Sequence, residues 1–178
     1  MELCEGDLDV YLQNRDRFTN LEPRHILYQC ASGIDQLHSL GVIHRDIKPS
    51  NILITYNNKK HERRAVIADF GLCRQVVPGR SSISVTGLHG TEGWAAPEVF
   101  TRDVKSVTYA VDIFSLGCVF YFILSSGNHP YGPEFFMRQA RIRQGKHELE
   151  NLEPLEEELI SKCFILFLQN YLLIFCKM

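Results

Sequence analysis

The amino-acid sequence predicts an α+β fold, mainly helical with a small β cluster. Three features carry that prediction. Apolar residues recur at helical spacing through Leu27, Cys30, Ile34 and Leu37, and a second, mostly apolar stretch runs from Tyr109 to Ser126. Between them lie three short β-prone runs, Val42-Ile43, Ile52-Leu53-Ile54 and Ala65-Val66-Ile67-Ala68, each bounded by polar or turn-forming residues. The stretch from Arg74 to Gly93 is rich in Gly, Ser and Thr and has no clear period, which marks a long loop of the kind that usually carries function or is disordered.

Taken in order, Gly6 to Asn14 reads as a short helix with Leu8 and Leu12 on one face. Asn20-Leu21-Glu22-Pro23 reads as a helix start with proline in the first turn, and the helix should run to Leu40 and stop at Gly41. Asn57 to Arg64 reads as a charged, solvated connection between the second and third β runs. Tyr109 to Ser126 should be a buried helix ending at Gly127. Further short helices are expected over Met137–Gly145 and Leu155–Cys163. No internal repeat interrupts this order.

Size and charge narrow the function classes. The 178 residues suit one domain able to bury its own core, and 45% hydrophobic with 22% charged residues is the composition of a soluble globular protein. A formal net charge of −2 favours neither direct nucleic acid binding nor an anionic membrane surface. The six cysteines include no C-x-x-C pair, which leaves zinc and redox motifs unsupported and points to reduced thiols. The acidic start, Glu2-Leu3-Cys4-Glu5, is unlike a signal peptide. The apolar run Cys163 to Cys176 is broken by Gln169-Asn170 and is shorter than the roughly 20 residues of a membrane span, so no span is expected.

The residues with chemistry fall into three clusters. His44-Arg45-Asp46-Ile47-Lys48-Pro49-Ser50-Asn51 lies between the first two β runs, Asp69-Phe70-Gly71 follows the third, and Ala96-Pro97-Glu98 closes the polar loop. Singly, each has a plain structural reading: an exposed Asp46–Lys48 ion pair, a turn capped by Asp69, a helix opened by Pro97-Glu98. Together, in this order, they resemble the signature set of protein kinases. Phosphoryl transfer needs reactants in line and charge neutralised. The resemblance implies Asp46 as the base, Lys48 as the contact to the transferring phosphoryl, and Asn51 and Asp69 as Mg²⁺ ligands. Gly71 supplies backbone freedom behind Asp69, and His44, Arg45 and Phe70 belong to the same turns.

The resemblance can be narrowed. Lysine two places after the aspartate fits Ser/Thr kinases, and Gly90-Thr91-Glu92-Gly93-Trp94 agrees, with Thr91 expected to contact Asp46 and Lys48. Glu2, Cys4 and Asp7 resemble the hinge, where backbone and side chain meet adenine and ribose; with Lys48, Asn51 and Asp69 they make the implied ATP site. Arg45 is expected to pair with a phosphate on the activation loop, with Ser82, Ser84 and Thr86 as candidate phosphosites. Asp112, at a helix start, is expected to hold the His44–Asp46 turn.

Asp69-Phe70-Gly71-Leu72-Cys73, Gly90 to Trp94, Val111-Asp112-Ile113-Phe114-Ser115, Gly117-Cys118-Val119-Phe120-Tyr121 and His129-Pro130 together resemble the inositol-requiring kinase/endoribonuclease family over roughly Met1 to Lys162. The resemblance implies ATP and Mg²⁺ as cofactors, a protein substrate that includes a second copy, a homodimer, and a place on the cytosolic face of the endoplasmic reticulum membrane in unfolded-protein signalling. It also implies what is missing. No glycine-rich phosphate loop and no V-A-x-K strand precede the hinge, so the chain is read as the large lobe only: kinase domain over 1–162 and an atypical apolar tail over 163–178. The tail stands open between a core helix, an alternative splice product and a gene-prediction error. Glu98 lacks the arginine that pairs with it in kinases. The competing reading is a catalytically inactive fragment acting as a binding or regulatory module.

Overall fold

A computed structural model describes residues 3–84, 89–101 and 104–175, with side chains as far as Ile165. The described residues form seven strands and five α-helices: β1 Leu3–Asp7, α1 Leu8–Gln13, α2 Pro23–Ser39, β2 Val42–Ile43, β3 Ile52–Asn57, β4 Glu62–Ile67, β5 Arg74–Gln75, β6 Ser82–Ser84, β7 Ser106–Thr108, α3 Ala110–Leu124, α4 Phe135–Gln144 and α5 Pro154–Phe175. The expected α+β class is what is found.

Three small antiparallel sheets flank the helices: β1-β3-β4, β2-β5 and β6-β7. The β3–β4 register matters most. Ile52 stands opposite Ile67, so Asn51 and Ala68 leave the sheet side by side, tied by Ala68 N–H donating to Asn51 O at 2.8 Å. The β2–β5 register sets Ile43 opposite Arg74, so His44 emerges beside Cys73. Residues far apart in sequence are thus delivered to one end of the sheets.

The apolar pattern forms the core as expected. α2 starts on Pro23, buries Ile26, Leu27, Cys30 and Ile34, and stops where Gly41 takes φ 74 and donates to His38 O at 2.9 Å. α3 is apolar on nearly every side and is buried almost along its whole length. Phe114 packs on Tyr131 and Phe164 with ring centroids 5.9 and 5.4 Å away.

α3 and α5 cross at Gly117. A Cβ there would stand 2.8 Å from Cys163 Cβ and 3.0 Å from Phe164 Cε1. The first of these atoms is fixed by the α5 backbone and cannot swing away. Gly117→Ala should therefore cost about 1–3 kcal/mol, despite alanine's better helix propensity. A lowered urea midpoint with an unchanged m-value is the expected result.

Four local readings need correction. Gly6 is not helical: β1 runs to Asp7, and α1 begins at Leu8 with the Asp7 carboxylate capping Val10 N–H at 3.0 Å. The Asn57–Arg64 connection is the expected solvated hairpin but shorter than read: β3 runs to Asn57, β4 already begins at Glu62, and in the turn Asn57 Oδ1 accepts from Lys59 N–H and Lys60 N–H. The long loop after Arg74 contains two short strands, β5 and β6. The last helix does not stop at Cys163 but continues to Phe175.

Candidate active site

The site is built on three turns, the first of them held by one buried carboxylate. Asp112, in the first turn of α3, is fully buried. Its Oδ2 accepts from His44 N–H and its Oδ1 from Arg45 N–H, both at 2.8 Å, and His38 Nε2 lies 2.8 Å from Oδ2. Arg45 is thereby held at φ 70, a left-handed conformation that costs a non-glycine residue about 1–3 kcal/mol. The side chain of His44, itself fully buried, has Nδ1 accepting from Asp46 N–H at 3.3 Å and Nε2 3.1 Å from Ala68 O. The strained turn aims Asp46 out of the core.

Four side chains converge there. Thr91 Oγ1 donates to Asp46 Oδ1 at 2.6 Å, Lys48 Nζ donates to Asp46 Oδ2 at 2.8 Å and to Thr91 Oγ1 at 2.7 Å, and Asn51 Nδ2 donates to Asp46 Oδ2 at 3.0 Å and to Asp46 O at 2.9 Å. Burial pushes the Asp46 carboxyl up, but the hydrogen bonds from Lys48, Thr91 and Asn51, with the Lys48 charge, outweigh it and hold the carboxyl below its ordinary value. Asp46 is therefore an ionised, oriented acceptor at neutral pH. The expected Thr91 contact to both Asp46 and Lys48 is present.

Asn51 spends its amide N–H₂ on Asp46, which leaves the carboxamide oxygen as a ligand. Asp69 sits at the end of β4 in a left-handed conformation, φ 60, with Oδ1 accepting from Gly71 N–H at 3.2 Å and its second oxygen facing no described donor. A carboxylate and a carboxamide on adjoining turns are the hard-oxygen set that Mg²⁺ takes alongside substrate phosphates and water, so the residues present fit the implied ion. Phe70 is 52% exposed, its ring edge-on to His44 at 5.4 Å.

The remaining expected residues are more scattered. Cys4 is exposed on β1, and Asp7 is committed to capping α1. Glu2 and Thr86 lie outside the described residues. Ser82 and Ser84 lie on β6, paired with Thr108 and Ser106. They share a cleft of about 260 Å³ with Arg74 and Arg80. Arg45 donates from Nε to Leu72 O at 2.6 Å and leaves one terminal nitrogen buried without a partner among the described residues. Burial and the neighbouring Arg74 charge push the Arg45 guanidinium below its ordinary value. A buried, partly unsatisfied arginine beside a second arginine is a place for an anion. Glu98 is buried with Oε2 unpartnered among the described residues, and burial pushes its carboxyl up to about 8.

Several positioning residues lie outside the three signature clusters. His38 reaches Asp112 from the last turn of α2. Ser115 Oγ donates to Trp94 O at 2.9 Å, and Gln139 Oε1 accepts from Gly93 N–H at 2.9 Å, so α3 and α4 together fix the segment that carries Thr91. The Glu5 carboxylate accepts two bonds from Arg63 at 2.7 and 3.1 Å, and these hold its pKa down against burial while fastening β1 to the sheet.

Comparison with known proteins agrees with this geometry. The protein kinase domain model matches residues 1–173. The chain is 45% identical over 162 residues to the serine/threonine-protein kinase/endoribonuclease ire-1 of Caenorhabditis elegans, an alignment covering 88% of this chain and 16% of that protein. It is 48% identical over 156 residues to the human serine/threonine-protein kinase/endoribonuclease IRE2, covering 86% and 17%. It is 34% identical over 183 residues to the Schizosaccharomyces pombe protein named sensor for unfolded proteins in the ER ire1, covering 88% and 17%. The chain thus spans about one sixth of the length of these relatives. With Lys48, Asn51 and Thr91 assembled around Asp46 and this likeness over most of its length, the chain belongs to the protein kinase domain family, among relatives of the serine/threonine kinase/endoribonuclease type.

Proposed function

We propose that this chain carries the base and the metal-binding side of a Ser/Thr protein kinase that moves the γ-phosphate of ATP to protein hydroxyls, its own included, in unfolded-protein signalling at the endoplasmic reticulum. The observation that carries this reading is the closed Asp46–Lys48–Thr91–Asn51 arrangement beside Asp69. The Asp46 carboxylate orients an incoming serine or threonine hydroxyl and takes its proton. Lys48, fixed by two acceptors, sets a positive charge where the transferring phosphoryl passes. Asn51 and Asp69 would hold Mg²⁺, which when bound offsets the charge of the nucleotide phosphates.

The finer assignments rest on resemblance. Glu2, Cys4 and Asp7 border adenine and ribose. A phosphate on Ser82 or Ser84, or on Thr86, would meet the guanidiniums of Arg45, Arg74 and Arg80. The kinase unit is read as residues 1–162 and residues 163–178 as an apolar tail, whose first residues, Cys163 and Phe164, pack on α3. The substrate is protein, a second copy in a homodimer included, on the cytosolic face of the membrane. Among the described residues no helix is long and apolar enough to cross a membrane.

A second reading is favoured by one observation: Phe70 is half exposed and Asp69 open to water, so this side of the site is not the dry enclosure that strong electrostatic catalysis uses. On that reading the chain binds or regulates and does not catalyse. Incubation with Mg²⁺ and ATP, followed by mass-spectrometric mapping of phosphate, separates the two. Phosphoserine at Ser82 or Ser84, or on an added protein, is expected. A chain that stays unmodified and labels no added protein supports the binding module and contradicts the enzyme.

A further inference from the structure

α2 carries two apolar faces, and the core uses only one. Ile26, Cys30 and Ile34 are buried in the interior, none of them more than 1% exposed. Arg24, Leu27, Tyr28 and Ala31 share the i, i+3, i+4, i+7 spacing of a second face, and they line a groove of about 690 Å³ against the first turns of α5. Leu27 and Phe120 floor the groove, and Tyr28, Leu155 and Leu159 wall it. Tyr28 and Leu155 are 74% and 79% exposed. Apolar walls that face each other across water are costly unless something lies between them. Water fills such a space poorly, because an ordered water needs about 2–4 polar partners. The volume falls in the range of roughly 300–1,000 Å³ usual for small-molecule sites. None of the catalytic or metal-side residues line it.

Charge narrows the occupant. Three charged side chains meet the groove: Arg24, Glu153 and Glu156. The two glutamates stand at the start of α5, where the positive end of that helix offsets them, and Glu156 Oε2 accepts from Glu153 N–H at 3.1 Å. Arg24 has no such partner. It is exposed, and its guanidinium makes no hydrogen bond or ion pair with any described residue. Its sequence neighbour Glu22 does not line the groove. Arg24 also sits in the first turn of α2, whose positive end adds to its charge. From Arg24 to Ala31 the trough follows α2 for about 10 Å. The unmatched features are thus an apolar trough and a cation at its α2 start. An unbranched alkyl chain ending in an anion complements both. Unlike a peptide, it brings no polar backbone that an apolar floor would leave unpaired.

We propose that the α2–α5 groove binds a long-chain fatty acid, its alkyl chain lying over Leu27 and Phe120 between Tyr28, Leu155 and Leu159, and its carboxylate paired with Arg24. The chain supplies most of the affinity, and the guanidinium selects the head group and sets the direction in which the chain lies. A ligand that touches α2 and α5 together binds the folded state alone, so it also stabilises the fold. The proposal does not depend on phosphoryl transfer by the chain.

Calorimetric titration of the full chain tests this, with dodecanoate, decanoate and dodecylammonium as probes, each kept below the concentration at which it forms micelles. Dodecanoate should bind once per chain, with a Kd on the order of 10⁻⁵ M. Decanoate, two methylenes shorter, should bind about 15-fold more weakly. Dodecylammonium keeps the chain and reverses the charge, and it should bind about 10-fold more weakly than dodecanoate. Arg24→Gln should weaken dodecanoate about 10-fold without weakening dodecylammonium. Leu155→Asp should weaken all three probes. Both positions are exposed, and circular dichroism verifies that each variant folds. No saturable binding of dodecanoate up to about 1 mM overturns the proposal and leaves the groove to a protein partner. Dodecylammonium binding as tightly as dodecanoate overturns it too, because the glutamates would then set the head group. So does a Leu155→Asp chain that binds dodecanoate as the unaltered chain does, which would assign binding to another surface such as the apolar tail.

Discussion

Asp112→Ala should be the most damaging single substitution outside the chemistry itself. The carboxylate is fully buried and accepts two backbone N–H groups and lies against His38. Alanine leaves those donors buried without acceptors, at about 1–3 kcal/mol each. It also removes the acceptor of the Arg45 backbone N–H that helps to pin the residue in its left-handed conformation, so the turn can relax and carry Asp46 with it. A loss of about 3–5 kcal/mol is expected, a large part of the 5–15 kcal/mol typical of a domain. The urea midpoint measures it. A variant with an unchanged midpoint would show that the turn holds itself.

Glu98→Gln should act in the opposite direction, increasingly as pH rises above about 4.5. The folded carboxyl titrates at about 8 and the unfolded one near 4.5. Between those values the folded chain holds a proton that the unfolded chain has released, so stability is full below about pH 4.5 and is lost as pH rises through 8. Glutamine removes that dependence. The difference in stability between the two proteins should widen in favour of Glu98→Gln by on the order of 5 kcal/mol from pH 4.5 to 9. His129, pushed down to about 3 by burial and the Arg138 charge, is present in both proteins and drops out of the difference. Parallel stability–pH curves would mean that Glu98 finds a cationic partner in solution.

Much of this molecule was legible in its sequence because local patterns and motif order coincide. α2 announced itself by Pro23, a helical period and Gly41, and all three features act as their chemistry predicts. Asp46, Lys48, Asn51 and Thr91 were named from motif and do converge. What stayed hidden depends on long-range pairing. β1 is a short acidic segment whose strand character comes from β3 and from the Glu5–Arg63 clamp, 58 positions apart. β6 exists because Ile83 meets Val107 in the core. His38, Ser115 and Gln139 support the site from helices whose period shows only which face is buried, not which polar side chain reaches across.

The central claim is that Asp46, as ionised and oriented here, serves phosphoryl transfer. The rate of phosphate transfer from Mg²⁺–ATP to a protein acceptor, measured for the chain and for Asp46→Asn at equal folded concentration, tests it most directly. Asparagine keeps the size and one acceptor oxygen but cannot take a proton, so the rate should fall by about 10²–10⁴-fold while the thermal midpoint moves little. An Asp46→Asn chain that transfers phosphate as fast as the unaltered one would contradict the account.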